Sequence, residues 1–416
     1  MELRARLAAI PAAKGLNTSA ERSRWGWSEA PRRDPLARLR RPQVPYAVTE
    51  EHLAIDDLGL AVVGRREPDP ALLAQLGLRG DAPGRWRDIL FLDTETSGLA
   101  GGAGTYVFLL GTIELGEGEL TLRQHALFDL GAERVFVEAI AGFLERFRAC
   151  ASYNGKRFDL PLLKDRVALH FRATLSVDRA HLDLLHPARR WWRPRTGTAR
   201  LRDLEDRVLV DPREDDLPGD QIPRTYFTFL ATQDESLLRP IAAHNRRDLL
   251  ALLRLADRMC RAVLDARRGR TPLDPHEALG MAVVFERHGE AEAARSCYEA
   301  AFHDGDAPAR RRSALPYASA LERAGDVGRA LRTLELALAL DDRPPATWRA
   351  RVEARMRRLH RALLRRPPPP ASQQHRDNAR AGGGESGEPA HRGGAPRARR
   401  GAVPSLLPRP TGRPTG

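Results

Sequence analysis

A mixed α/β sheet flanked by helices, followed by an all-α helical repeat, is the fold class that this chain predicts, and three observations carry it. Between residues 88 and 264, short apolar runs of strand length alternate with segments of helical periodicity. After Arg270 the pattern turns wholly helical, and Glu286-Arg287-His288-Gly289 recurs as Glu322-Arg323-Ala324-Gly325, an offset of 36 residues close to a tetratricopeptide unit. From residue 366 to 416 the chain is dominated by Gly, Pro and Arg, which predicts a disordered basic tail.

The elements follow in order. Residues 1–85 read as an Arg- and Pro-rich leader, broken by Pro31, Pro35, Pro42 and Pro45, with a short mixed segment and one small helix at 70–78. Residues 86–266 form the α/β domain. An apolar run at 88–92 is a buried strand, and strands at 105–115 and 119–128 are joined into a hairpin by Gly116-Glu117-Gly118. Phe136, Ile140, Phe143 and Phe147 make one helical stripe, a strand at 149–153 leads into a helix at 160–170, and a short strand at 182–185 precedes a long helix at 241–264. The helical repeat occupies 274–365, with a closing helix at 346–364.

At 416 residues, with 42% hydrophobic and 30% charged, the chain is an ordinary globular protein of two or three domains. Its 68 basic and 55 acidic residues leave a net charge of +13, which suits a polyanionic partner. Nearly all the cations are Arg, as expected of a GC-rich coding sequence, and the lysines are Lys14, Lys156 and Lys164. Cys150, Cys260 and Cys297 lie too far apart for a zinc motif or a disulfide framework. With neither a signal-peptide core nor an apolar stretch of membrane-spanning length, the chain reads as cytoplasmic, with no membrane partner.

The chemistry gathers in three places. Asp93 and Glu95, at i and i+2 at the end of the first apolar strand, leave one face together, and paired acids there call for a hard divalent cation between them or a solvated turn around them. Asp159 follows a strand in Tyr153-Asn154-Gly155-Lys156-Arg157-Phe158-Asp159, where it can equally cap a helix. His244 and Asp248, four apart near the start of the long helix, share a face.

Together, in this strand order, they resemble the DEDD exonucleases of the ribonuclease H-like superfamily, and within it the YprB-like ribonuclease H-like family. The likeness also rests on Leu92-Asp93-Thr94-Glu95-Thr96-Ser97-Gly98-Leu99, on Arg213-Glu214-Asp215-Asp216 with Pro218-Gly219 and Ile222-Pro223, and on His244-Asn245. It implies that Asp93, Glu95, Asp159 and Asp248 bind two Mg2+ or Mn2+ ions, that His244 deprotonates the attacking water, and that single-stranded DNA or RNA is cut from its 3′ end. One departure stands out: most superfamily members with a catalytic His place it five residues before the last Asp, and this chain places it four before, the tyrosine spacing. A non-catalytic nucleic-acid-binding adaptor that recruits a protein partner through the repeat, and a structure-selective endonuclease, are the alternatives.

Two further clusters remain. His181, Asp183 and His186 have a metal-like composition but the spacing of a strand end and turn. The run Arg189, Arg190, Trp191, Trp192, Arg193 interleaves cations with rings, so that with Lys156 it could hold phosphates and stack bases, or it could bury its tryptophans in the core.

Overall fold

The computed structural model describes residues 45–98, 104–178, 180–272 and 274–364. The expectations for the leader up to residue 44 and for the tail beyond Leu364 lie outside the described residues.

Six strands form one sheet in the order β1-β4-β3-β2-β5-β6. They are β1 (Tyr46–Ala54), β2 (Ile89–Thr96), β3 (Val107–Leu115), β4 (Glu119–Leu127), β5 (Ala149–Ser152) and β6 (Ala180–Asp183). β1 to β4 pair antiparallel, and β2, β5 and β6 run parallel. Two findings differ from the sequence reading. Tyr46–Ala54, read as part of a mixed segment outside the α/β domain, is the edge strand on β4. β2 runs four residues past the apolar run read at 88–92, and it carries Asp93 and Glu95 on the strand as the sequence reading had them.

Thirteen α-helices accompany the sheet among the described residues. α1 (Pro70–Gln75) lies ahead of β2, α2 (Glu133–Leu144) and α3 (Asp159–Phe171) flank β5, and α4 (Leu185–Trp191), α5 (Arg193–Thr196) and α6 (Leu201–Leu204) follow β6. α7 (Ile222–Thr232) and the long α8 (Leu238–Arg267) come next. The last five are α9 (Pro275–Arg287), α10 (Ala291–His303), α11 (Ala307–Arg323), α12 (Val327–Ala339) and α13 (Ala346–Leu364).

Both faces of β2 are covered, which is why its apolar run does not alternate. Leu90 and Leu92 join Phe136, Ile140, Leu163 and Tyr226 in one core. Ile89 and Phe91 join a second core that runs through α8, by way of Met259, Cys260 and Val263, into the C-terminal helices as far as Leu359. The break at 268–274 is therefore a break in the helix and not in the core.

The repeat is visible in its turns. Gly289 and Gly325, 36 residues apart, both take positive φ (77° and 84°), and the next residue's N–H returns to Phe285 O and Leu321 O respectively, each at 2.9 Å. Asp274, Asp306 and Asp326 cap α9, α11 and α12 through backbone N–H groups at 2.8–2.9 Å.

Candidate active site

Alternation along β2 sends Asp93 and Glu95 to the same face, just where the strand emerges from its buried stretch and a bulge follows Glu95. Opposite Asp93 stands Gly111 of β3. A Cβ at Gly111 would lie 2.0 Å from Asn245 Oδ1 and 2.7 Å from Leu249 Cδ1, so only glycine lets α8 come down on the strand pair here. Asn245, fully buried, uses that approach. Its Nδ2 donates to Asp93 Oδ2 at 2.8 Å and its Oδ1 accepts from Gln124 Nε2 at 2.9 Å.

Asp159 arrives from the other side. After β5 the chain turns sharply, with Asn154 at φ 70° and Gly155 so close to Ser152 that a Cβ would meet its Oγ at 2.3 Å. Asp183 holds this turn by accepting from Asn154 N at 2.8 Å and Lys156 N at 3.2 Å. Asp159 then begins α3, but its Oδ1 points across to β2 and accepts from Thr94 N at 3.1 Å and Thr94 Oγ1 at 2.5 Å.

The second turn of α8 and the one after it bring the remaining pair. His244 Nδ1 lies 3.0 Å from both oxygens of Asp216, whose side chain is fully buried, and His244 Nε2 lies 3.7 Å from Asp248 Oδ2. Asp248 Oδ1 accepts from Arg213 Nη2, and Arg213 also binds Glu205 and, at 3.0 Å, Asp216. The motif 213–216 thus supplies a carboxylate to orient His244 and a guanidinium to steady Asp248. Neither role is legible in the motif alone.

Burial, and then the charges of Asp248, Glu95 and Asp159, hold the Asp93 carboxyl well above the usual range. Burial with Asp248, Asp159 and Asp216 does the same to Glu95, and burial pushes Asp159 up to about 6. Burial also acts to raise Asp216, but its bonds to Arg213 and His244 outweigh it and leave the group below its ordinary value. Like charges brought together at the end of a strand are costly unless a cation neutralises them. Among the described residues no three His, Cys, Asp or Glu side chains converge at coordinating distance as placed. The donor set itself, hard carboxylate oxygens repelling one another with Asp248 alone in an ion pair with Arg213, fits a divalent cation.

A cavity of about 290 Å³ opens beside these acids, lined by Thr94, Glu95, Asp159 and Phe158, with Gly219 and Pro223 opposite. Phe158 is 53% exposed in this wall, an accessible ring that the sequence did not single out. The tryptophans are the reverse case. Trp191 and Trp192 are 0% and 1% exposed and belong to the core, which corrects their reading as base-stacking residues. The reason is tertiary: α9 rests on α4 so closely that a Cβ at Gly280 would lie 2.7 Å from Arg190 O. Arg189 and Arg193 remain exposed, and Arg190 and Lys156 are half-buried. His181, Asp183 and His186 form no metal site. His181 Nε2 bonds Ser152 Oγ at 2.7 Å, Asp183 serves backbone N–H groups, and His186 is exposed.

Residues 90–260 match the sequence profile of the RNase_H superfamily, a span that contains all five clustered residues. The chain is 34% identical over 224 residues to the uncharacterized protein YprB of Bacillus subtilis (strain 168), covering 53% of this chain and 54% of that protein. It therefore spans about half the length of the curated relative it matches. Among solved structures, the family B DNA polymerase from the hyperthermophilic archaeon Pyrobaculum calidifontis is similar over 48% of this chain and 29% of that one, at 16% identity and a TM-score of 0.35.

Proposed function

We propose that this chain is a cytoplasmic, metal-dependent nuclease that hydrolyses phosphodiester bonds of single-stranded nucleic acid from the 3′ end. One observation carries the reading: Asp93 and Glu95 from one face of β2 and Asp159 from the start of α3 repel one another beside a single cavity, and none of the three forms an ion pair among the described residues. With Asp248 Oδ2 they are the residues that hold two divalent ions, Mg2+ or Mn2+. Such ions acidify the attacking water and neutralise the leaving oxygen.

The chain's own groups do the rest. Asn245 and Thr94 orient Asp93 and Asp159. His244 donates a hydrogen bond from Nδ1–H to the Asp216 carboxylate, the tautomer that leaves Nε2, 3.7 Å from Asp248 Oδ2, free to take the proton from water. That pairing supports a basic role for His244 at the shorter spacing. Phe158 offers a stacking surface at the cavity mouth, in place of the buried tryptophans, and Lys156, Arg189, Arg190 and Arg193 bind backbone phosphates. The two αα-hairpins with their 36-residue recurrence are a tetratricopeptide-like surface for a protein partner. All three cysteines are buried and free, as suits a reducing compartment.

The test is incubation of the full chain with end-labelled single- and double-stranded DNA and RNA, in Mg2+, Mn2+ or EDTA. A ladder shortening from the 3′ end, with metal only, is expected. No cleavage of any strand in either metal overturns the reading.

A further inference from the structure

A second, larger cleft of about 660 Å³ meets the carboxylate cavity at one shared lining residue, Pro161 in the first turn of α3. Where the first cavity is acidic, this one is basic. Arg79, Lys156, Lys164 and Arg190 line it against a single lining acid, Asp178, which is paired with Lys164 at 2.7 Å. Asp183 beneath it is spent on backbone N–H groups. The side chains of Arg79, Lys156 and Arg190 form no ion pair among the described residues. Arg190 is half-buried, and its charged form is disfavoured by burial and then by Arg287 beside it, so its surroundings offer a second cation and no carboxylate. In a chain whose cations are almost all arginine, two of the three lysines line this one cleft.

We infer that this cleft is the docking site for backbone phosphates of the same nucleic-acid strand whose end enters the carboxylate cavity. The inference rests on the nuclease reading for the position of the strand end. Three cations, Arg79, Lys156 and Arg190, converge there without an ion-pair partner, beside a Lys164 already paired with Asp178, and phosphate groups spaced along a strand are the polyanion that such a surface neutralises. Pro161 lines both cavities, so a strand crossing the first turn of α3, a distance of about one helix width of ~10 Å, passes from one to the other. The cleft thereby grips the strand beyond the nucleotide being removed and matters only for substrates long enough to reach it.

Binding without hydrolysis tests this. Fluorescence anisotropy of a labelled 12-nucleotide strand and of a dinucleotide, with the full chain in EDTA over a salt series, would be compared for the parent and for Arg79→Gln with Lys156→Gln. Loss of two phosphate contacts should make the slope of log affinity against log salt shallower by about 1.4 for the 12-mer and leave the dinucleotide unmoved. The pair Arg357→Gln with Arg361→Gln, on the exposed face of α13, removes equal charge elsewhere and should leave both unchanged. If Lys156→Gln does not fold, Arg79→Glu on an exposed side chain makes the same test alone. An unaltered 12-mer slope in the cleft variants, or an equal loss in the α13 pair, overturns the inference. Because no cleavage is involved, a chain that binds through the cleft but never cuts sinks only the nuclease reading, and one that cuts with an unaltered slope sinks only the cleft.

Discussion

Glu133 and Asp93 are both acids enclosed by protein, and their surroundings differ in kind. Glu133, at the start of α2, is 4% exposed and meets Arg166 through both oxygens and His170 Nε2 at 2.8 Å. Asp257 on α8 is treated as generously, since one oxygen accepts from three consecutive backbone N–H groups, those of Ala61, Val62 and Val63, at 2.7–3.0 Å. Asp93 has a single amide donor, from Asn245, and faces Asp248, Glu95 and Asp159. Glu133 and Asp257 are satisfied this fully, whereas Asp93, Glu95 and Asp159 repel one another at one place. The contrast separates acids that hold the chain together from acids that await a ligand.

The sharpest way to break the contrast is to neutralise one acid of each kind. Asp93→Asn should reduce hydrolysis by about 10⁴-fold or more while the melting temperature stays level or rises, because an uncompensated charge has been removed. Glu133→Ala should do the opposite, costing about 3–5 kcal/mol of stability in chemical denaturation by stranding Arg166, with turnover of the surviving folded protein little changed. If both variants behave alike, the distinction is wrong.

His244→Ala sits between these cases and should lower turnover by about 10²- to 10⁴-fold without loss of strand binding, and an unchanged rate would mean that water is activated without it. The smallest effect expected is on thermal stability. The carboxyls of Asp93, Glu95 and Asp159 are raised above their unfolded values, Asp159 to about 6. Their contribution is thus present below about pH 4 and lost as pH rises through the folded values. A divalent ion reverses that loss, so calorimetry should find Mg2+ raising the melting temperature more at pH 8 than at pH 5. Equal increments at the two pH values would remove the electrostatic argument.

What was legible in the sequence was local. The i, i+2 acids of β2, the Asp159 turn and the His244/Asp248 helix face are set by backbone periodicity, and the structure brings them together as spaced. The 36-residue recurrence was legible for the same reason. What was hidden depends on contacts between distant segments. Gly111 admits Asn245 only because α8 lands there, and Trp191 and Trp192 are buried only because Gly280 lets α9 lie on α4. β1 was obscured because an edge strand needs one apolar face at most, and its Glu50, Glu51 and His52 sit behind a Pro-rich stretch. α7 was not read at all, because Pro218, Gly219 and Pro223 interrupt any helical pattern, although Pro223 is the proline of the helix's first turn.

The central claim is that Asp93, Glu95 and Asp159 belong to a cation. Titration of the metal-free full chain with Mn2+, followed by the electron paramagnetic resonance signal of the free ion, measures it without reference to any substrate. The account predicts about two ions bound per chain, with binding weakened or lost in Asp93→Asn and in Asp159→Asn but kept in Glu133→Gln. Absence of saturable Mn2+ binding to the folded parent chain, or binding indifferent to Asp93 and Asp159, would contradict it.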